Sequence, residues 1–186
     1  DMSMKRSLRA QRGASLIEVL VSILIVSVGI VSLAGLLAKS TQLAKASEFR
    51  SVAGLLAADM ADRVKANIPA VTAGTYDMTP AALQAAAPGN AATACISAAA
   101  ACTSAQMAAY DLAQWQQTLF NGLPSGTGYL QYDAVGQAVD LWLAWLDPTA
   151  LAVGNDEEYK NLTSNCPAAF QALDPRPSCM YFRVGL

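Results

Sequence analysis

The sequence predicts an α+β chain, a long N-terminal α-helix packed on an antiparallel β-sheet head. Three patterns predict it. Ala14–Ala38 is almost wholly apolar, Ser40–Lys65 carries apolar residues at helical spacing, and the last third of the chain changes to alternation with period two. The 186 residues suit one modest core. Only 14% are charged while 54% are hydrophobic, against about 25% charged in an ordinary soluble domain. The first question is therefore where the apolar sequence is kept. There is no histidine, which removes Ser-His-Asp and Cys-His catalysis and every zinc site built on imidazole.

The N-terminal segment reads ASLIEVLVSILIVSVGIVSLAGLLA over Ala14–Ala38, and its single charge is Glu18. Val19–Ala38 is twenty residues without a charge, about 30 Å of helix and enough to cross a bilayer core. Lys5, Arg6, Arg9 and Arg12 stand before it, so the positive-inside rule keeps that end in the cytoplasm and sends the rest outward. The chain opens on Asp1 rather than a methionine, which reads as the end of a fragment, with Met2 and Met4 as candidate starts. Three readings of this end compete. A conventional secretory signal cut after Ala44-Lys45-Ala46 would leave Ser47 first, but the apolar run is too long for it and contains Glu18. A simple signal anchor fits the length and leaves the carboxylate unexplained. The third reading cuts after Gly13 and keeps the apolar segment.

Arg12-Gly13-Ala14-Ser15-Leu16-Ile17-Glu18-Val19-Leu20 resembles the class III signal of type IV prepilins. The resemblance implies that a prepilin peptidase cuts between Gly13 and Ala14 on the cytoplasmic side and that the Ala14 amine is then N-methylated. It also makes Glu18 the fifth residue of the mature chain, paired in assembly with the freed amine of a neighbouring subunit. Ala14 departs from the phenylalanine or methionine common at that place. A carboxylate on a membrane helix is costly and points to function, although nearness to the aqueous edge and to the helix N-terminus lowers the cost. The bland alternative is an interfacial glutamate that snorkels to water.

From Ser40 to Lys65, Phe49, Val52, Ala53, Leu56, Met60 and Val64 recur at three- and four-residue steps, while the charges Glu48, Arg50, Asp59, Asp62, Arg63 and Lys65 fall largely elsewhere. Ile68, preceding Pro69, is disfavoured from continuing a helix. One helix of about 80 Å from Ala14 to Asn67 follows. Two separate helices are the alternative, because Gly29, Gly35 and Gly54 each weaken the interior by about 1 kcal/mol. The ladle shape implied by the pilin resemblance favours the continuous form. The expected organisation is a cleaved leader at 1–13, a helix at 14–67 whose 14–38 half serves the membrane and assembly, and a periplasmic head at 68–186.

Within the head, Ala70–Ala101 has no clear period and reads as an irregular connection. Of the 37 alanines, sixteen fall in Ala81–Ala113, so much of the apolar count has little burial value. Thr103-Ser104-Ala105-Gln106 offers a capping box. The helix after it carries Met107, Tyr110, Trp115 and Leu119 and ends near Gly122-Leu123-Pro124, with Trp115 as core. Tyr129–Asp133 and Ala138–Leu146 read as strands turning near Gly136, with Val139, Leu141, Leu143 and Trp145 on one face and Trp142 on the other. Met180–Val184 suits a last strand.

Cys95, Cys102, Cys166 and Cys179 all follow the apolar segment, an even count that fits disulfides in an exported domain. Three connectivities exist. Cys95–Cys102 and Cys166–Cys179 are favoured because they close short local loops, each stabilising by about 2.5–3 kcal/mol. Intervals of six and twelve residues do not match the short pairs of structural zinc sites, and no C-x-x-C is present, so neither a metal nor another cofactor is expected. Asp156-Glu157-Glu158 reads as a solvated acidic loop, and the Asn161-Leu162-Thr163 sequon has little weight beside a bacterial leader. In Ile68–Leu186, Lys160, Arg176 and Arg183 face nine acids, so 3 − 9 gives −6. That is a poor footprint for DNA.

Ala108-Ala109-Tyr110-Asp111-Leu112-Ala113-Gln114-Trp115 before Leu123-Pro124-Ser125-Gly126, then Trp145-Leu146-Asp147, together with Asp59-Met60-Ala61-Asp62-Arg63-Val64-Lys65-Ala66-Asn67, is similar to PilV-type minor pilins. The resemblance implies a non-enzymatic subunit that primes type IV pilus assembly and sits at or near the pilus tip. Its implied partners are prepilin peptidase, other minor pilins, the major pilin and a tip adhesin, while the acidic head argues against nucleic acid. Its implied course runs from a single pass of the inner membrane to the extracellular pilus. The alternatives are a minor pseudopilin of a type II secretion system, a DNA-uptake minor pilin, and a secreted binding domain.

Overall fold

The computed structural model describes residues 15–79, 82–147 and 166–186, so the acidic triplet at Asp156 and the sequon at Asn161 lie outside the described residues. The chain divides into two compact units, at Asp1–Thr41 and Gln42–Leu186. Helix α1, Leu16–Ala66, is a single element contributing to both. The glycines weighed against its continuity do not break it.

In the first unit every described residue is exposed, including Leu16 at 85%, Val31 at 72% and Leu37 at 67%. The segment is long and apolar enough to cross a membrane. Three of its serine hydroxyls are satisfied within the helix. Ser22 donates to the Glu18 carbonyl at 2.7 Å, Ser27 to Leu24 at 2.8 Å and Ser32 to Val28 at 2.9 Å, as a polar side chain in an apolar solvent requires.

The second unit holds the core. Ala53, Ala57, Met60 and Val64 of α1 are buried, with Phe49, Val52 and Leu56 packed at the edge. This is the stripe the spacing predicts, extended by Ala57. Asn67 interrupts the helix and α2, Ile68–Thr72, restarts it with Pro69 in its first turn, where the missing N–H costs nothing. The connection is therefore not irregular from Ala70 as expected. Ala70 and Val71 are buried in the core, and Ala98–Ala100 forms a 3₁₀ turn. A Schellman motif closes α2, with Thr75 N–H to Ala70 O at 2.9 Å and Gly74 N–H to Val71 O at 2.9 Å. Gly74 takes φ +73° there, a conformation glycine adopts without penalty. The motif turns the chain so that Tyr76 enters the core, 1% exposed.

Helix α3, Ser104–Gly122, starts with the predicted capping box: Gln106 N–H donates to Thr103 Oγ1 at 3.2 Å and Thr103 N–H to Gln106 Oε1 at 2.9 Å. Strands β1, Thr127–Asp133, β2, Ala138–Trp145, and β3, Ser178–Gly185, form an antiparallel sheet in the order β1-β2-β3. Val139, Leu141, Leu143 and Trp145 are buried on its inner face with Trp115 and Leu119 of α3. Trp142 points the other way and stacks between Tyr129 and Tyr181, ring centroids 4.9 Å from each. Farther along that outer face, Ala144 and Cys179 are covered by Cys166 and by Phe170 of the short helix α4, Ala168–Gln171. Both faces are thus partly covered, and the α+β class read from the sequence is the one the chain adopts.

Gly128 pairs with Leu143, and a Cβ there would enter the Trp115 ring. We predict that Gly128→Ala lowers stability by about 1–3 kcal/mol through overpacking, measured by denaturation of the detergent-solubilised chain. An unchanged midpoint would contradict that packing.

Candidate functional site

Two groups of residues have functional geometry, one in each unit. In the first, Gly13 and Ala14 lie outside the described residues, and Glu18 stands in the first turn of α1. Its N–H bonds the Ser15 carbonyl at 3.0 Å, while its side chain is exposed and no described residue bonds the carboxylate. A charge in this position, on an otherwise bare apolar helix, is available to a partner outside the chain.

In the second unit a polar cluster ties the end of α1 to α2 and α3. Arg63 reaches Asp59 Oδ2 through Nε at 3.0 Å, and Asp111 Oδ1 through Nη1 at 3.0 Å. The same Nη1 donates to Gln114 Oε1 at 3.3 Å. Tyr76 Oη donates to the other Asp111 oxygen at 2.6 Å. Asn67 Nδ2 donates to the Ser104 carbonyl at 2.8 Å. Burial, reinforced by the bond to Asp111, pushes the Tyr76 hydroxyl well above its ordinary range, so it stays a donor. Burial opposes the Arg63 charge, but the hydrogen bonds it donates to Asp59 and Asp111, with the negative charge of both, outweigh that and its pKa is raised. These bonds join the end of α1 and the segment after α2 to α3, which makes the cluster a clamp. Nearby, the Trp115 indole N–H donates to the Leu56 carbonyl of α1 at 2.8 Å, and Gln116 Nε2 to the Gly128 carbonyl at 3.0 Å.

Beside the clamp lies an open cavity of about 380 Å³, with Arg63, Asn67, Cys102, Thr103, Met107 and Asp111 on its walls. Among the described residues no group of three or more metal-ligating side chains occurs. Cys95 is bonded to Cys102 and Cys166 to Cys179. The first bond ends one residue before the N-cap of α3, and the second joins the segment before α4 to β3.

The sequence placed Arg63, Asn67 and Asp111 in recognisable motifs without showing that they meet. Tyr76 was not singled out at all. Its only sequence signal was an aromatic ring two residues after Gly74, at the edge of an alanine-rich stretch.

Comparison with known families bears on both units. Residues 8–34 match the prokaryotic N-terminal methylation motif. Residues 36–113 match the Tt1218-like family, described as type IV pilin Tt1218. These matches support a type IV pilin. The first spans Gly13, Ala14 and Glu18, and the second spans Arg63, Asn67, Tyr76 and Asp111 of the clamp and ends one residue before Gln114. The long helix with a small three-stranded antiparallel sheet is consistent with a pilin fold. No curated protein and no solved structure matches the chain. In such a pilin the methylation motif implies prepilin peptidase processing and assembly with other pilins, and the apolar helix fits a membrane-anchored subunit.

Two predictions test the electrostatics. Asp111→Ala removes the acceptor that Arg63 and Tyr76 share, leaving Arg63 with Asp59 and Gln114, and should lower stability by about 1–3 kcal/mol, read from chemical denaturation; a loss below about 0.5 kcal/mol would contradict the clamp. On the sheet, the hydrogen bond from Arg183, helped by the Gly136 N–H, holds the Asp133 carboxyl below its ordinary 3.8. Because the folded value is depressed, its stabilisation is complete above the unfolded value and lost as pH falls through the folded one. An NMR titration should place its midpoint below 3.8, with Arg183→Gln returning it towards that value; identical midpoints would overturn the assignment.

Proposed function

We propose that the chain is a minor pilin of the PilV type, which primes a type IV pilus together with other minor pilins and is incorporated at or near its tip. The observation that carries this reading is the bare half of α1. A helix with large apolar side chains exposed along its length is stable only in a bilayer or against other helices, and a filament core supplies the second environment after the first.

In this reading prepilin peptidase cuts between Gly13 and Ala14, and the new Ala14 amine is methylated. Glu18, the one charge between Ala14 and Ala38, pairs with the amine of a neighbouring subunit. In water such a pair is worth little. Within an apolar bundle an unpaired carboxylate is penalised, so a subunit is retained only in the register that supplies the partner. The head presents the surface that other minor pilins and a tip adhesin meet, and no step requires chemistry from this chain.

Glu18→Ala should leave membrane insertion intact and cut recovery of the protein in sheared pili at least about tenfold, the effect of about 1.4 kcal/mol. Recovery at the parental level would refute the pairing. Absence of the parental protein from pili, with its deletion blocking protein secretion, would refute the pilus assignment in favour of a pseudopilin.

A further inference from the structure

The two disulfides occupy opposite environments. Cys166 and Cys179 are 4% and 8% exposed, enclosed with Ala144 and Phe170 and flanked by Leu83 and Leu173. Cys95 and Cys102 are both half-exposed, and the chain between them is open to solvent at Ile96, Ser97, Ala99, Ala100 and Ala101. Neither sulfur of this second bond belongs to a core cluster, and Cys102 stands on the wall of the open cavity beside the clamp. An attacking thiolate must approach a disulfide in line with the S–S bond, so access decides which bond exchanges.

The surroundings also distinguish the two sulfurs. Cys102 lies one residue ahead of Thr103, the N-cap of the 19-residue helix α3. The capping box engages the Gln106 N–H, leaving the Ser104 and Ala105 N–H groups among the unbonded donors of the helix start. That end favours a thiolate. Arg63 on the same wall is already held by Asp59 and Asp111, so the preference rests on the helix end. Cys95 has no such support and is the sulfur open to attack.

We propose that Cys95–Cys102 is an exchangeable disulfide, a site at which a dithiol oxidoreductase acts on the folded protein. The partner thiolate attacks Cys95 Sγ and forms a mixed disulfide with it. The Cys95–Cys102 bond breaks, and its electron pair leaves on Cys102 Sγ as a thiolate at the start of α3. The partner's second thiol then displaces Cys95, so the protein disulfide gains two electrons and the partner dithiol is oxidised to a disulfide. Reduction frees the segment ahead of α3 from its tether, while Thr103 and Gln106 still cap the helix and the core stays closed. The site depends on the head alone and is independent of the Glu18 pairing.

The test uses the full chain in detergent under argon. Graded dithiothreitol is followed by alkylation and peptide mass spectrometry, with circular dichroism recorded in parallel. Cys95 and Cys102 should become alkylated at reductant concentrations at least about tenfold below those that label Cys166 and Cys179, since the buried pair must open first. The circular dichroism should be unchanged at that point. With glutathione in place of dithiothreitol, the trapped mixed disulfide should sit on Cys95. Simultaneous reduction of both bonds, prior reduction of Cys166–Cys179, loss of structure when Cys95–Cys102 opens, or glutathione on Cys102 would each overturn the proposal.

Discussion

One helix has to satisfy two environments, and the rest of the molecule follows from that constraint. From Leu16 to Leu37 the side chains of α1 are exposed. From Ala53 to Val64 one face is sealed into a core. The apolar part can be uniform, because every direction around it is to be covered by lipid or by other helices. The later part must be amphipathic, because one side faces the sheet and α3 while the other faces water. A single charge at Glu18 and the charges that begin at Lys39 bound the first regime.

The head solves a different problem, that of a small core rich in alanine. Alanine contributes little buried area, so a few large groups fix the packing. Trp115 lies over Gly128 and holds the Leu56 carbonyl, Tyr76 reaches Asp111, and Phe170 closes the far face of the sheet with Cys166–Cys179. The connection between α2 and α3 has little core of its own. It is held by the Cys95–Cys102 bond and by polar contacts such as Gln117 to Asn90. The large buried groups are thus concentrated where the helix meets the sheet.

Most of this was legible where the pattern is local. The capping box at Thr103, the alternation at Val139–Trp145 and the apolar steps at Phe49–Val64 depend on neighbours a few residues apart, and each appears where its spacing places it. The pairings that are distant in sequence were not legible. Arg63 to Asp111 joins residues 48 apart and Tyr76 to Asp111 joins residues 35 apart, and no periodicity encodes either. Helix α2 was hidden for another reason. Pro69 reads as a stop signal, yet in the first turn of a new helix it is a start signal, and only the Schellman closure at Gly74 distinguishes the two. Of the candidate residues, Glu18 stands out in the sequence because a lone carboxylate in an apolar run is costly. The clamp does not, because a charged residue on an amphipathic helix is usually solvated.

In the proposed pilin the apolar half of α1 is retained in the mature subunit, whose new end is Ala14. N-terminal mass spectrometry of the protein isolated from membranes tests it most directly. The chain should begin at Ala14 and carry one methyl group on its amine. A mature chain beginning at Ser47, with the apolar segment removed, would contradict it.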